Sequence, residues 1–324
     1  SGQIMSKGGI ANRLISFAKT LVGFLPGGLA LINIVSAMLM GAIAGSAMAS
    51  ASAMGTILGP EMEKEGYSKE FGAAVNITSS TTGLVIPPSN TLIVYSLASG
   101  GVSIAALFLA GYIPGILTGL LMMIVAMIWA KKNNYPVGKR SSLKEVFVKF
   151  IDAFPSLLLL VIVIGGIIGG IFTATEASAV AVLYTVLLSF YYKELSLKDL
   201  PKVILESVET TSIVMLLIGA SMCMSWVLSY ENIPQDISNA LLSVSDNKIV
   251  ILLMINVILL AVGIFMDATP AVLIFTPIFL PIVTALGMDP THFGIVLMLN
   301  LCIGLCTPPV GSVLFVGFGI AKTS

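Results

Sequence analysis

Two proline pairs, Pro87-Pro88 in "GLVIPPSN" and Pro308-Pro309 in "GLCTPPVG", interrupt stretches that are otherwise apolar. In a helix, a proline at position i cannot donate to the carbonyl at i−4, so Pro87 frees the carbonyl of Gly83 and Pro88 that of Leu84. By the same rule Pro308 and Pro309 free Gly304 and Leu305. Such carbonyls cannot face lipid; they must be buried in protein or bind something. Glycine at the freed position removes the side chain that would block a ligand's approach. A small dehydrated cation that prefers oxygen suits these carbonyls, with the nearby hydroxyls of Thr307, Ser79, Ser80 and Thr82 to complete its shell. The duplication then predicts two cation sites. The alternative is a kink that only shapes the helix.

Asp267 in "IFMDATP" is the one carboxylate deep inside an apolar stretch, which makes it a functional candidate. It could balance a cation, hydrogen-bond a polar substrate or cap the helix that follows it. Glu176 in "TATEAS" has Thr173 three residues before it and reads instead as a capping box at a helix start. Enzyme chemistry is disfavoured. An intramembrane aspartyl protease needs a second embedded carboxylate, which is missing, and the single His292 lies near a span boundary rather than beside a serine. Cys223, Cys302 and Cys306 have no metal-ligand spacing and read as packing residues.

The elements that must position these groups are membrane helices. Of 324 residues, 57% are hydrophobic and 10% charged, with mean hydropathy +1.04, which excludes an ordinary soluble domain. Lys+Arg and Asp+Glu both number 16, so net charge points to no nucleic-acid partner. The opening "SGQIMSKGG" resembles the tail of a preceding apolar helix, so the chain is expected to be a fragment. Stretches able to cross or enter about 30 Å of hydrocarbon lie at about 24–44, 45–60, 71–99, 102–130, 154–172, 177–192, 207–229, 247–266, 268–286 and 291–321. The segment 131–149 carries six basic residues and one acid, Glu145, and is expected as a cytoplasmic loop. Counting crossings from it puts 61–70 inside and the loop 230–248 outside.

The two proline sites stand 221 residues apart, and one register at that offset pairs Ala47 with Ala268, Ile57 with Ile278, Pro60 with Pro281, Gly66 with Gly287 and Gly83 with Gly304. It also pairs Ser46 with Asp267. Five crossings separate the copies, an odd number, so they are expected in opposite orientations. Inverted repeats with broken helices are a build of secondary transporters. The fold class expected is an all-α polytopic membrane protein with inverted-topology repeats, re-entrant helical hairpins and broken helices.

The stretches "FLPGGLALINIVSAMLMGAIAGSAMASASAMG", "EGYSKEFGAAV", "GLVIPPSN", "AGYIPGIL", "GGIIGGIFTATEASAVAV" and "GLCTPPVGSVLF" closely resemble the large membrane subunit of the tripartite ATP-independent periplasmic (TRAP) transporters. The resemblance implies sodium-driven import of an organic acid anion, such as a C4-dicarboxylate, a sialic acid or another sugar acid, across the bacterial inner membrane. It implies two or more sodium ions, no organic cofactor, a small membrane subunit and a periplasmic substrate-binding protein as partners. It also implies an elevator movement of hairpins and broken helices (28–99 and 247–324) against scaffold segments (1–27 and 100–246). Carried onto these residues, one sodium site comprises Ser46, Ser50, Gly83, Ile86 and Pro88. The other comprises Asp267, Thr269, Gly304, Thr307 and Pro309, and the substrate lies near Ser46, Ser89, Thr91 and Asp267. Half-helices beginning at Ser89 and Val310 would offer it positive ends. A passive channel or a scaffold subunit is the alternative reading.

Overall fold

The computed structural model describes residues 10–138, 140–193, 195–245 and 247–321, so the expectation for "SGQIMSKGG" lies outside the described residues. Fifteen helices are found among them, with an isolated β-bridge, Pro26 to Val137, and no strand. After α1 (Ile10–Val22), α2 (Gly28–Ala44) and α3 (Ala47–Lys64) form a hairpin. Then α4 (Lys69–Ser80), the single turn α5 (Thr82–Val85) and α6 (Asn90–Ala98) make a broken helix. Long helices follow: α7 (Ile104–Lys132), α8 (Leu143–Ile168), α9 (Ala174–Tyr191) and α10 (Leu200–Tyr230), with α11 (Ile233–Val244) after them. A second hairpin, α12 (Lys248–Phe265) and α13 (Ala268–Ala285), leads into a second broken helix, α14 (Pro290–Leu305) and α15 (Ser312–Ala321).

Six helices, α7 to α10, α12 and α13, are long and apolar enough to cross a membrane. The broken helices are different. At 1.5 Å per residue, the 12 residues of α4 reach about 18 Å and the 10 of α15 about 15 Å. No half reaches across about 30 Å of hydrocarbon, so each break falls at depth if its helix inserts. The outer faces of α7 to α10 keep large apolar side chains exposed, among them Ile113, Val125, Val161, Leu187, Leu216 and Trp226. On α10, hardly any of the apolar surface is covered by protein, which is stable only where lipid replaces water around it.

The repeat read from the sequence governs where elements start and stop. Helix α3 spans Ala47–Lys64 and α13 spans Ala268–Ala285, both ends 221 residues apart. Ser68 caps α4 and Asp289 caps α14 at the same offset. The left-handed turn between hairpin and broken helix falls on Gly66 (φ 85°) and Gly287 (φ 78°), a conformation in which a Cβ is strained. The Asp289 carboxylate accepts from the backbone amides of Thr291 (2.8 Å) and His292 (3.2 Å). These bonds, chiefly that from His292, hold its pKa below the ordinary carboxylate value.

The halves are interleaved. Post-break helix α15 packs on α3 and α4 of the first repeat, while post-break helix α6 packs on α13 and α14 of the second. Cys302 on α14 and Cys306 just past its end donate to the carbonyls of Thr81 (3.5 Å) and Ile77 (3.6 Å) on the first broken helix. These two cysteines are therefore packing residues on a seam between repeats, whereas Cys223, expected to pack as well, is exposed on α10. Glu176 forms the expected capping box with Thr173.

Two expectations are corrected. The segment 230–248, read as a loop, contains α11, because Ile237 and Leu241 one turn apart bury against the second hairpin. The segment 131–149, expected as a cytoplasmic loop, is a loop only between Lys132, where α7 ends, and Ser142, whose hydroxyl accepts the Glu145 amide at 3.2 Å and starts α8 at Leu143.

Helix α7 crosses the first break on two glycines. A Cβ at Gly111 would lie 2.5 Å from the Val85 carbonyl oxygen, and one at Gly115 would lie 2.5 Å from Ile86 Cγ1. Gly111→Leu should therefore push α7 off the break and destabilise the protein by about 1–3 kcal/mol, read as a lowered unfolding temperature in detergent. Leucine at Ile113, a lipid-side position on the same helix, should leave that temperature unchanged.

Candidate functional site

At the first hairpin α2 runs to Ala44 and α3 begins at Ala47, so the tip is two residues wide. Gly45 takes the left-handed conformation (φ 62°) and donates to Gly41 O at 2.7 Å, and Ser46 caps α3 by accepting the Ala49 amide at 3.3 Å. Gly45 lies against the side chain of Asn90, the first residue of α6. Small residues are needed here because two backbones meet without side chains between them. A Cβ on Gly41 would run into the backbone of Gly83, and one on Gly83 would run into that of Gly41. The second repeat has the same contact between Gly263 and Gly304, with the hairpin glycine one place further along. Each hairpin is thus locked by a glycine pair onto the break of its own broken helix.

Not every freed carbonyl stays free. The expectation for Leu84 is corrected: Ser89 Oγ donates to Leu84 O at 2.6 Å while accepting the Leu92 amide at 3.4 Å, so one hydroxyl mends the break and caps α6. Ser89 is fully buried, which leaves its hydroxyl committed within the protein. The expectation for Gly304 is corrected likewise, since the Thr307 amide donates to Gly304 O at 2.9 Å. Thr307 Oγ1 itself donates to Ile303 O at 2.7 Å. Proline removes the donors for Gly83 O and Leu305 O, and among the described residues no other donor reaches either. Both prolyl peptides, Pro87-Pro88 and Pro308-Pro309, are cis.

Asp267 does not cap α13, which corrects that reading of it. Its carboxylate accepts from Ser312 Oγ at 3.0 Å, joining the second hairpin tip to the first residue of α15. The Gly311 amide adds a bond to Ile264 O at 2.9 Å. That bond and the left-handed Gly311 (φ 50°) delay the post-break helix to Ser312, where Val310 was expected. Ser46 and Thr91 occupy the places of Asp267 and Ser312 in the first repeat; Ser46 is half-buried and Thr91 buried.

Of the remaining residues in the first set, Ile86 is buried and Pro88 half-buried, and Ser50 is fully buried with a hydroxyl that has no hydrogen-bond partner. A buried hydroxyl without a partner costs roughly 1–3 kcal/mol unless something unseen satisfies it. In the second set Thr269 is half-buried and Pro309 exposed. Residues 82–87 are buried beneath α7.

Polar residues that the motifs did not reveal surround the first break. Asn33 on α2 receives the Ser79 hydroxyl at 3.4 Å, and Asn76 on α4 donates to Ala51 O at 2.8 Å. Asn256 and Asn300 pair in the second repeat. A signal was present in the sequence, since asparagines inside apolar stretches require partners. The largest of the described cavities, about 910 Å³, lies between α4, α7 and α14 and reaches Thr307.

Ser89→Ala removes both the cap of α6 and the partner of Leu84 O. It should lower the unfolding free energy by about 1–2 kcal/mol, measured by denaturant titration in detergent. Thr91→Val, which removes neither bond, should cost less.

The chain matches, over residues 1–324, the family model described as the tripartite ATP-independent periplasmic transporter, DctM component. It is 58% identical over 324 residues to the uncharacterized protein YgiK of Salmonella typhimurium, covering 100% of this chain and 74% of that one. It is 42% identical over 317 residues to the C4-dicarboxylate TRAP transporter large permease protein DctM of Pseudomonas aeruginosa, covering 98% and 74%. To the sialic acid TRAP transporter large permease protein SiaM of Vibrio cholerae it is 38% identical over 317 residues, covering 98% and 74%.

Proposed function

The chain belongs to the DctM component family of tripartite ATP-independent periplasmic transporters, and from that premise we propose that it couples sodium entry to the import of an organic acid anion. It is a transporter permease rather than an enzyme, and a multi-pass integral membrane protein, which in bacteria means the inner membrane. Relatives named for C4-dicarboxylate and sialic acid support an organic acid as cargo. Its proposed partners are a small membrane subunit and a periplasmic substrate-binding protein.

The observation that carries the reading is the duplicated glycine contact, Gly41 on Gly83 and Gly263 on Gly304, at breaks that each keep a carbonyl without a donor. Neutral, convergent oxygens at an unwound helix suit a sodium ion, which sheds water on entry and regains it on release. The first ion has Gly83 O and the unpartnered Ser50 hydroxyl as candidate ligands, with Ser46, Ile86 and Pro88 around them. The second has the region of Asp267, Thr269, Thr307 and Pro309 beside the Gly263–Gly304 contact. We place the anion between the hairpin tips, near Ser46, Thr91 and Asp267, where the starts of α6, at the exposed Asn90, and of α15, at the half-buried Ser312, contribute positive helix ends. Asp267, held by Ser312, serves substrate hydroxyls or offsets sodium charge better than it serves a carboxylate. Ser89 supports this region from behind, as its hydroxyl is committed to Leu84.

An elevator movement is proposed for the interleaved body made of 28–99 and 247–321. The crossed packing of α6 and α15 ties its halves together, so both sites would travel as one unit against α7 to α10.

Gly304→Val should keep membrane insertion but lower sodium-dependent uptake at least tenfold in proteoliposomes holding the permease with its small subunit and binding protein. Val at Gly219, an open position on α10, should have no effect. Uptake by Gly304→Val with unchanged sodium dependence would remove the second break from the ion site.

A further inference from the structure

The two repeats are not equivalent at the ends of their hairpins that lie by the 61–70 turn and its counterpart. In the first repeat a cavity of about 350 Å³ enters between α3, α4 and α15 beside Glu63, Ser68 and Lys69, and reaches Asn33 and Asn76. Five glycines open it: Gly55, Gly59, Gly72, Gly317 and Gly319. At the same offset of 221 residues the second repeat has Thr276, Leu280 and Phe293 in place of the first three, and Leu297 in place of Asn76. Phe293 and Leu297 are buried to 1% and 0% exposure, and Tyr95 of α6 fills the space against Gly294. One fold has thus been built twice, once filled by Leu280, Phe293, Leu297 and Tyr95 around the buried Thr276, and once left open.

The floor of the open copy is polar. Asn76 is 4% exposed and lines the cavity, its Nδ2 donates to Ala51 O, and its Oδ1 has no partner. Leaving a buried amide oxygen bare is unfavourable unless water or an ion reaches it. From Asn76 the polar groups continue toward the break. Ser79 and Ser80 hydroxyls donate to Asn76 O at 3.3 and 2.6 Å, Ser79 meets Asn33, and Thr82 Oγ1 donates to Ser79 O at 2.6 Å, one residue before Gly83.

We infer that this cavity is an aqueous passage by which the cation of the first break, and not that of the second, exchanges with the side of the membrane bearing the 61–70 turn. The inference rests on the sodium reading above for the ion it carries, but not for its water. The ligand class is a hydrated monovalent cation: the lining offers the amides of Asn33 and Asn76 and the hydroxyls of Thr56 and Ser68, and at the mouth Lys69 Nζ lies 3.6 Å from Glu63 Oε2, a pair that is mutually neutral. The passage makes release ordered, since among the described cavities none opens on the equivalent face of the second repeat; the one beside Phe293 lies on the α12 side and is lined by Asn256 and apolar residues.

The test is thiol accessibility in the assembled transporter with Cys223, the exposed native cysteine, replaced by serine. Gly59→Cys has open space around it, and Leu280→Cys is its counterpart. A membrane-impermeant cationic thiosulfonate applied to inside-out vesicles should label Gly59→Cys at least tenfold faster than Leu280→Cys, and faster than it does in right-side-out vesicles. Equal rates at the two positions, or faster labelling from the periplasmic side, overturn the passage. Asn76→Leu, which copies the second repeat, should slow sodium-driven uptake about tenfold while the sodium concentration for half-maximal substrate binding moves less than threefold; unchanged uptake overturns the passage as the ion's route. Failure of the sodium reading would show separately, as uptake indifferent to sodium with the labelling contrast intact. Should Asn76→Leu fail to fold, the labelling contrast alone decides.

Discussion

A peptide group without a partner in an apolar medium costs several kcal/mol, and the two proline pairs create such groups at depth in two helices. Everything around the breaks answers that cost. Ser89 takes the Leu84 carbonyl and the Thr307 amide takes that of Gly304. What remains, Gly83 O and Leu305 O, is left bare where the glycine contacts bring a hairpin backbone against the break. The break is therefore repaired only in part, and the unrepaired part is what an ion can use.

The same constraint explains the small residues. A hairpin tip can close on a broken helix only if backbone meets backbone, which accounts for Gly41 on Gly83 and Gly263 on Gly304 better than any preference for flexibility. Interleaving then packs the two repeats together. Because α15 lies on the first repeat and α6 on the second, neither hairpin can shift without carrying part of the other repeat. Symmetry supplies the scaffold, and departures from it supply direction: Asp267 bonded to Ser312 where the first copy has Ser46 and Thr91, and an open polar cavity where the second copy is filled.

Much of this was legible in the residues. The offset of 221 put Gly66 and Gly287 in register, and the ends of α3 and α13 and the caps Ser68 and Asp289, which were not read, follow the same offset, because helix boundaries depend on local chemistry that a duplication copies. Hydropathy located the long helices for the same reason. Helix α11 was missed because a short amphipathic segment among polar residues reads as a loop until a partner surface exists for Ile237 and Leu241.

What the sequence determined by itself was that two helices break, where they break, and that the two breaks are copies, since proline's missing donor acts within its own chain segment. Which carbonyls stay free was decided only by tertiary structure. A hydroxyl five residues away reached Leu84, a neighbouring amide reached Gly304, and Asp267 turned from its own helix to Ser312. Those choices depend on distances between elements, which spacing along a chain does not carry. The cavity at Asn76 is of the same kind: glycines and asparagines scattered over α2, α3, α4 and α15 become one opening only once α15 has crossed to lie on the other repeat.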